Sequence, residues 1–241
     1  APIVKQRLLR LRKSIYTMSP DNFDSFVTDE NVWSQVISDE ASTSGRPALF
    51  LDRDGAIVEE VNYLHRPEDV AFIPGAIEVI RRANDLDIPV LIVTNQAGIG
   101  RQYYNWDHFI EVQKTILTQL FDAGAQIDGV FACPHHSDAR APYFHKDHPW
   151  RKPNPGMLTT AQELMAVDLS KSWIAGDRAG DVRAGLNAGC AGGIHLQTGH
   201  GIREIERDTS LASATKSFEV KSLASIADLL TELPLFKQQM H

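Results

Sequence analysis

The sequence predicts an α/β protein with a doubly wound, Rossmann-like parallel sheet flanked by helices. From residue 48 onward, short aliphatic runs alternate with amphipathic stretches, which is the pattern of right-handed βαβ units. The first run ends abruptly in Asp52 and Asp54, and ligands of parallel sheets bind beyond the carboxyl ends of the strands. A chain of 241 residues suits one domain of this class.

Each aliphatic run is short enough for a buried strand, and each amphipathic stretch has the period of a helix. In chain order we predict strand 48–52, helix 75–86, strand 89–94, helix 106–123, strand 128–133, helix 155–166, strand 172–176, helix 179–188, strand 193–196 and a last helix near 221–231.

Residues 1–47 are predicted to form a helical arm that precedes the main domain at 48–241. Two apolar series carry this prediction, namely Val4, Leu8, Leu11 and Ile15 at helical spacing, then Phe23, Phe26, Trp33 and Val36. Residues 41–47 are rich in Ser, Thr, Gly and Pro and are typical of a linker. The arm packs either on the main domain or on a second copy, so the protein is expected to be a monomer or a homodimer through this arm.

Composition excludes several classes of function. The net charge of −7 disfavours a general nucleic-acid binder, which needs a basic face. Cys133 and Cys190 are too few for a disulfide framework and fit a reducing, cytoplasmic location. No stretch approaches 18 apolar residues, so no membrane span is expected.

Four polar clusters fall at predicted strand ends or just after them. They are Asp52 with Asp54, Thr94-Asn95-Gln96, Arg151-Lys152-Pro153, and Asp177 with Asp181. Because the carboxyl ends of parallel strands share one edge of the sheet, we expect these clusters to converge. Each alone has an ordinary explanation as turn, cap or surface charge, and their joint occurrence favours a site.

The chemistry that these residue types support is phosphoryl transfer to an aspartate. Asp52 is the expected nucleophile, because an ionised carboxylate needs no base to attack phosphorus. Mg²⁺ held by Asp52 and Asp177 would let two anions meet, and Lys152 would add a second positive charge.

Asp54 is the expected general acid and base for the leaving alcohol and the attacking water. It must hold a proton in the first step, and the carboxylates of Asp52 and Asp177 are expected to help it do so. Thr94 is expected to hydrogen-bond the phosphoryl oxygens. We therefore assign Asp52, Asp54, Thr94 and Lys152 as the catalytic residues.

Five motifs carry a family resemblance. They are Leu-Asp-Arg-Asp-Gly at 51–55, Val-Thr-Asn-Gln-Ala-Gly-Ile-Gly-Arg at 93–101, Cys-Pro-His-His at 133–136, Arg-Lys-Pro-Asn-Pro-Gly-Met at 151–157 and Ala-Gly-Asp-Arg-Ala-Gly-Asp at 175–181. The chain resembles the haloacid dehalogenase (HAD) superfamily from about residue 48 to 201. Within it, the motifs are similar to those of D-glycero-D-manno-heptose 1,7-bisphosphate phosphatases and the related histidinol-phosphate phosphatases.

This resemblance implies an enzyme without a large cap domain, with which the short 56–73 insertion agrees. It also implies Mg²⁺ bound by Asp52, the Asp54 main-chain carbonyl and Asp177. Substrate contacts are predicted at Asn95 and Arg151 and in the turn from Glu60 to Tyr63, although that turn differs from the usual heptose bisphosphatase pattern.

The branch has a second signature, a zinc loop of Cys-x-His followed by Cys-x-Cys. This chain keeps Cys133 and His135 but has His148-Pro-Trp150 in place of the second pair. Structural zinc bound by Cys133, His135 and His148 is chemically acceptable, with His136, His145 or Asp147 as the fourth ligand. The alternative is a loop without metal, held together by Tyr143 and Trp150.

The expected function is hydrolysis of a small sugar phosphate or bisphosphate. Histidinol phosphate is the alternative substrate, and a nucleic-acid end phosphatase is disfavoured by the acidic charge. A catalytically silent phospholigand-binding protein would not need both Asp52 and Asp54, and a dehalogenase would need only the first.

Overall fold

A computed structural model describes residues 26–38 and 45–237. Its centre is a seven-stranded sheet in the order β1-β4-β3-β2-β5-β6-β7, in which β1 is antiparallel to β4 and all other pairs are parallel. The strands are β1 (Trp33–Val36), β2 (Leu49–Leu51), β3 (Val90–Asn95), β4 (Gly129–Cys133), β5 (Trp173–Gly176), β6 (Gly192–Leu196) and β7 (Glu219–Leu223).

Helices cover both faces of this sheet. They are α1 (Ala76–Asp85), α2 (Ala97–Gly100), α3 (Trp106–Asp122), α4 (Gly156–Met165), α5 (Ala179–Ala188), α6 (Glu204–Leu211), α7 (Leu229–Glu232) and α8 (Pro234–Lys237). Apolar residues of α1, α3, α7 and α8 form the core on one face, and those of α4 and α5 form the core on the other. The doubly wound fold class is therefore confirmed.

The inner strands are buried on both faces because helices cover both sides. Every residue of β2, β4, β5 and β6 is buried, which explains their unbroken aliphatic sequences. The predicted elements from 48 to 196 are all present, with ends displaced by no more than one or two residues.

The C-terminal part corrects one prediction. Instead of a helix near 221–231, the chain forms β7 and then the short helix α7. β7 was missed because it lies at the sheet edge and is half exposed, without the aliphatic run of an inner strand. Helix α6 was also missed, and its sequence is strongly polar.

The N-terminal part corrects another prediction, since Trp33 and Val36 lie in strand β1 and not on a helix. β1 pairs with β4 along its whole length, from Trp33 opposite Ala132 to Val36 opposite Gly129. Trp33 is fully buried, with ring centroids 5.8 Å from Trp106 and 5.3 Å from Phe109. The packing of Trp33 against distant residues outweighs the helical spacing of the local sequence. Trp33 and Val36 therefore lie in the sheet.

The other apolar series of the predicted arm, Val4 to Ile15, lies outside the described residues, as do Phe23 and positions 41–44 of the predicted linker. Every helix within residues 26–38 and 45–237 is too short or too polar to cross a membrane.

The chain reverses its direction across the sheet at β2. From β2 it proceeds through β3 to β4 on one side, and β5, β6 and β7 then follow on the other side. Such a reversal opens a crevice at the carboxyl ends of the two central strands, β2 and β5. Leu51 pairs with both Ile92 and Ala175, so the residues that follow β2, β3 and β5 emerge side by side.

Candidate active site

Asp52 follows β2 directly and lies at the centre of the crevice. Its backbone N–H donates to the Ala175 carbonyl at 2.9 Å. Its oxygen Oδ1 accepts from the Arg53 backbone N–H at 2.8 Å and lies 2.9 Å from Lys152 Nζ. Among the described residues nothing donates to Oδ2, so this is the oxygen left for attack.

Lys152 is buried and uses all three of its N–H donors. Nζ lies 2.9 Å from Asp52 Oδ1 and 2.6 Å from Asp181 Oδ1, and it donates to the Val93 carbonyl at 2.7 Å. Burial alone lowers the pKa of Lys152, but Asp181 and Asp52 outweigh burial and raise it. The ammonium group is therefore charged at neutral pH and fixed beside the nucleophile.

Asn95 explains why Lys152 reaches this position. The Asn95 side chain accepts from the Lys152 backbone N–H and donates to the Lys152 carbonyl, both at 3.1 Å. This reciprocal pair ties the loop after Trp150 to the end of β3. Both polar ends of Asn95 are thus engaged by the backbone, and its predicted contact with substrate stays a prediction.

A buried acidic cluster forms where β2 and β5 end. Carboxylate oxygens of Asp52, Asp177 and Asp181 all lie within 4.8 Å of one another. Asp181 is occupied by Lys152 through Oδ1 and by the Arg178 backbone N–H, at 2.9 Å, through Oδ2. Asp177 accepts from the His200 backbone N–H at 2.6 Å through Oδ2, whereas its buried Oδ1 meets no donor within the described part of the chain.

This arrangement fits a divalent cation. Burial raises the pKa of Asp52, and it raises that of Asp177, where the carboxylates of Asp52 and Asp181 add to the effect. Lys152 opposes the shift at Asp52. Mg²⁺ prefers oxygen ligands, and Asp177 Oδ1 is a buried carboxylate oxygen with no partner among the described residues. Asp52 and Asp177 are the residues that would hold the cation.

Two glycines let the backbone approach Asp177 closely. Gly55 has φ of +84°, and a Cβ there would lie 2.4 Å from Asp177 Oδ2. Gly199 has φ of +45°, and a Cβ there would lie 2.5 Å from the same oxygen. No larger residue fits at either position without displacing the carboxylate.

The Asp54 carboxylate contacts Arg53 and Gln96. Its Oδ2 accepts from Arg53 Nε at 3.0 Å and from Gln96 Nε2 at 2.9 Å, and its Oδ1 accepts from Arg53 Nη2 at 3.1 Å. The sequence did not predict this ion pair between Asp54 and Arg53. The expectation that Asp52 and Asp177 help Asp54 to hold a proton stays a prediction. Thr94 is buried nearby and accepts from Gln96 Nε2 at 2.8 Å.

These residues open into a cavity of about 380 Å³. All of the predicted catalytic residues line it, and so do the predicted substrate contacts. The lining residues singled out by the sequence are Asp52, Asp54, Glu60, Tyr63, Thr94, Asn95, Arg151 and Lys152. The prediction that the clusters converge is correct in the structure.

The turn at Glu60 to Tyr63 forms one wall of the cavity. Glu60 accepts from the Asn62 backbone N–H at 2.7 Å and lies 3.6 Å from His200 Nε2. Asn62 and Tyr63 both have positive φ, of 54° and 73°, a strained backbone that is common at ligand sites. The Tyr63 hydroxyl accepts from Arg101.

The sequence did not single out several cationic groups of this cavity as site residues. One of them is Arg101, which contacts His136 Nε2 at 3.1 Å. Arg151, which the sequence did predict, donates to the His135 carbonyl at 3.1 Å. Arg178 and His200 also line the cavity. Arg101 is the last residue of the motif at 93–101, so the sequence could have identified it. His200 reaches the cavity because its loop approaches Asp177 closely, which the sequence does not indicate.

The predicted zinc residues are adjacent but are not arranged as a metal site. Cys133 Sγ lies 3.9 Å from His148 Nδ1, and the rings of His135 and His148 are stacked at 3.9 Å. Both ring nitrogens of His135 contact carbonyls, of Tyr143 at 3.1 Å and of Glu30 at 2.8 Å. Cys133, His135 and His148 therefore do not fit zinc in this arrangement.

Comparison with known proteins agrees with this geometry. Residues 149–225 match the family model described as HAD-hydrolase-like. A D-glycero-beta-D-manno-heptose-1,7-bisphosphate 7-phosphatase from Mesorhizobium japonicum is 38% identical over 80% of this chain and 92% of the relative. The chain belongs to the HAD-like heptose bisphosphate phosphatase family. A second member, from Thermosynechococcus vestitus, is 39% identical over 78% of this chain and 97% of its own length.

Solved structures place this HAD-like phosphatase in the same group. A HAD-like phosphatase from Mesorhizobium loti has a TM-score of 0.79 and 35% identity, covering 89% of this chain and 97% of the neighbour. The D,D-heptose 1,7-bisphosphate phosphatase from B. bronchiseptica, complexed with magnesium and phosphate, has a TM-score of 0.65 and 28% identity. That alignment covers 78% of this chain and 97% of the neighbour. The protein is therefore a phosphoric monoester hydrolase.

Proposed function

We propose that this phosphatase hydrolyses a heptose 1,7-bisphosphate with the aid of Mg²⁺, through a phosphoryl intermediate on Asp52. One observation carries the proposal. A nucleophilic carboxylate has one oxygen held by Lys152 and the other left open, beside a buried acidic cluster that fits a divalent cation. The names of the relatives support the substrate class.

In the first step, Asp52 Oδ2 attacks phosphorus and the bond to the leaving alkoxide breaks. Lys152 keeps Oδ1 engaged, so the carboxylate is oriented and its open oxygen faces the cavity. Mg²⁺ bound by Asp52, Asp177 and the Asp54 main-chain carbonyl would neutralise the phosphoryl charge that otherwise repels the nucleophile. The Thr94 hydroxyl donates to a phosphoryl oxygen.

Asp54 transfers the proton in both steps. It protonates the leaving alkoxide and then removes a proton from the water that attacks the aspartyl-phosphate. Two donors hold Oδ2, and among the residues that the structure describes only Arg53 Nη2 reaches Oδ1. Oδ1 is therefore the oxygen that exchanges the proton, after its single contact with Arg53 is released.

The cavity has more positive charge than one phosphate requires. Arg101, Arg151 and Arg178 line it in addition to Lys152. These arginines add positive charge beyond that of Lys152 and the proposed Mg²⁺, which supports a bisphosphate over a monophosphate. Glu60 and Asn62 offer acceptor and donor groups for sugar hydroxyls.

The test is phosphate release from a panel of phosphomonoesters with Mg²⁺. The panel includes histidinol phosphate and both anomers of D-glycero-D-manno-heptose 1,7-bisphosphate. Both anomers are tested because relatives are named for each of them. We expect the highest kcat/KM for one heptose bisphosphate and a loss of at least about 1,000-fold in Asp52→Asn. No release from any member contradicts the proposed activity, and near-wild-type turnover by Asp52→Asn contradicts the assigned nucleophile.

Zinc has no part in this mechanism. Zinc bound by Cys133, His135 and His148 stays a prediction, because the loop would have to rearrange to present a tetrahedral set. Metal analysis of protein prepared without chelator decides it, and less than about half an equivalent favours the loop without metal. The cytoplasmic location and a homodimer through the N-terminal arm also stay predictions.

A further inference from the structure

Gln96 lies at the centre of a buried hydrogen-bond network between two catalytic side chains. It follows β3, and its side chain is 2% exposed. Gln96 Nε2 donates to Asp54 Oδ2 at 2.9 Å and to Thr94 Oγ1 at 2.8 Å. Gln96 Oε1 accepts from Arg53 Nη2 at 3.1 Å and from the Tyr104 hydroxyl at 2.6 Å. All four contacts of the amide are thus to side chains.

The chemistry of the neighbours fixes the orientation of this amide. Arg53 has only donors, so the amide atom beside it must be the acceptor Oε1. Burial raises the pKa of Tyr104, so its hydroxyl is protonated and also donates to Oε1. A rotated amide would set NH₂ against the guanidinium and oxygen against the Asp54 carboxylate. The Nε2 donors must therefore face Asp54 and Thr94.

This orientation determines what Thr94 can do. A hydroxyl has one hydrogen to donate, and a donor that occupies its oxygen directs that hydrogen elsewhere. The Thr94 oxygen accepts from Gln96, and none of the residues in 26–38 and 45–237 accepts from Thr94. The hydrogen is free for an acceptor in the cavity, where the phosphoryl group would lie.

The same amide also limits the movement of Asp54. Gln96 and Arg53 Nε both hold Oδ2, which leaves Oδ1 to reach the leaving group. Loss of the Gln96 donor would let the carboxylate rotate about its side-chain bonds, with Arg53 as its only anchor. The alignment needed for proton transfer would then be populated less often.

We propose that Gln96 is a positioning residue that couples the acid/base Asp54 to the phosphoryl-binding Thr94, with its amide oriented by Arg53 and Tyr104. The inference rests on the proposed function, since it assumes the roles of Asp54 and Thr94. It adds a residue that acts through both of them and touches no reacting atom.

The decisive readout compares two leaving groups. An alkoxide needs a proton from Asp54 as it leaves, whereas p-nitrophenolate is stable as an anion and leaves without one. We compare kcat/KM for heptose 1,7-bisphosphate and for p-nitrophenyl phosphate, because kcat/KM reports the phosphoryl transfer to Asp52. Gln96→Leu should lower kcat/KM for the heptose at least about tenfold more than for the aryl ester.

Two further variants complete the design. Gln113→Leu is the matched control, since Gln113 is also a buried glutamine, its amide atoms meet no partner among the described residues, and it does not line the cavity. It should remain within about twofold of wild type on both substrates. Tyr104→Phe removes one donor to Gln96 Oε1 and should show the same selective loss on a smaller scale, and it decides the question if Gln96→Leu does not fold.

Asp54→Asn should be slow on the heptose, because it lacks the acid. If it is slow, equal losses on both substrates in Gln96→Leu, or no loss on either, would overturn the inference. In that case Gln96 does not position Asp54, and the phosphatase mechanism stands. If Asp54→Asn turns over the heptose as fast as wild type, or if wild type hydrolyses neither ester, the proposed function fails and the role of Gln96 fails with it.

Discussion

At the scale of single residues, Lys152 shows how stability and catalysis depend on the same contacts. It is buried against Asp52, Asp181 and the Val93 carbonyl, and nothing in its immediate sequence distinguishes it from a surface lysine before a proline. Its position depends on Asn95, which binds its backbone across 57 residues of sequence. The charge that orients the nucleophile is therefore set by a long-range backbone contact.

Replacing this charge should be costly. Lys152→Met leaves two buried carboxylates without their partner, and breaking a buried ion pair in this way typically costs about 3–5 kcal/mol. Urea unfolding in the presence of a chelator measures the change. Lys171→Met is the matched control, because Lys171 is an exposed lysine paired with Asp168, and it should change stability by less than about 1 kcal/mol. Equal effects of the two variants would argue against a buried pair.

At this scale, the sequence motifs predicted which residues belong to the site. They did not predict the roles that depend on contacts between side chains. Asp52, Asp54, Thr94 and Lys152 were found from strand-end position and chemistry, and they do converge on one cavity. The pairing of Asp54 with Arg53 and Gln96 was not foreseen, because side-chain direction after a strand is decided by packing. The Cys133, His135 and His148 set was found in sequence but is not arranged as a metal site.

At the scale of elements, the inner strands could be predicted and the edge strands could not. A strand buried on both faces is aliphatic throughout, as in β2 and β4, and is recognised without its neighbours. β1 and β7 lie at the two edges of the sheet and have mixed sequences. Trp33 is placed by Trp106 and Phe109, which are more than 70 residues away, and no local pattern reports such contacts.

Strand β1 should contribute to the stability of the sheet. Trp33→Ala removes a fully buried indole and should lower the free energy of unfolding by about 3–5 kcal/mol. Trp33→Phe should cost clearly less, because it keeps the aromatic contacts and removes an indole N–H that has no partner among the described residues. Chemical denaturation followed by circular dichroism measures both. A small effect of Trp33→Ala would show that β1 is not part of the stable fold.

At the scale of the whole molecule, we expect the acidic cluster of the active site to destabilise the fold and the proposed Mg²⁺ to offset this effect. Three buried carboxylates lie together and Lys152 contacts only Asp52 and Asp181 among them. Burial raises the pKa of Asp52 and of Asp177 above the ordinary value. A carboxyl group with a raised pKa binds more protons in the folded state than in the unfolded state. Such a carboxyl group therefore lowers the free energy of unfolding as the pH rises above about 4, which is its pKa in the unfolded chain.

This linkage predicts a pH-dependent effect of Mg²⁺ on thermal stability. In chelator, Tm should fall between pH 5 and pH 8 as the cluster is forced to ionise. Saturating Mg²⁺ should raise Tm more at pH 8 than at pH 5, where the cation must displace protons. Differential scanning calorimetry of wild type and Asp177→Asn measures the shifts, and the variant should lose most of the Mg²⁺ effect. An equal Mg²⁺ shift at both pH values would contradict the linkage.

If the phosphoryl group passes through Asp52, as proposed, an aspartyl-phosphate forms during turnover and can be trapped chemically. Enzyme turning over heptose 1,7-bisphosphate is quenched in acid and reduced with borohydride, which converts an aspartyl-phosphate to homoserine, and the peptides are analysed by mass spectrometry. We expect homoserine at position 52 in wild type and none in Asp52→Asn. Trapping at another residue, or steady turnover with no trapped acyl-phosphate under rapid quench, would contradict the account.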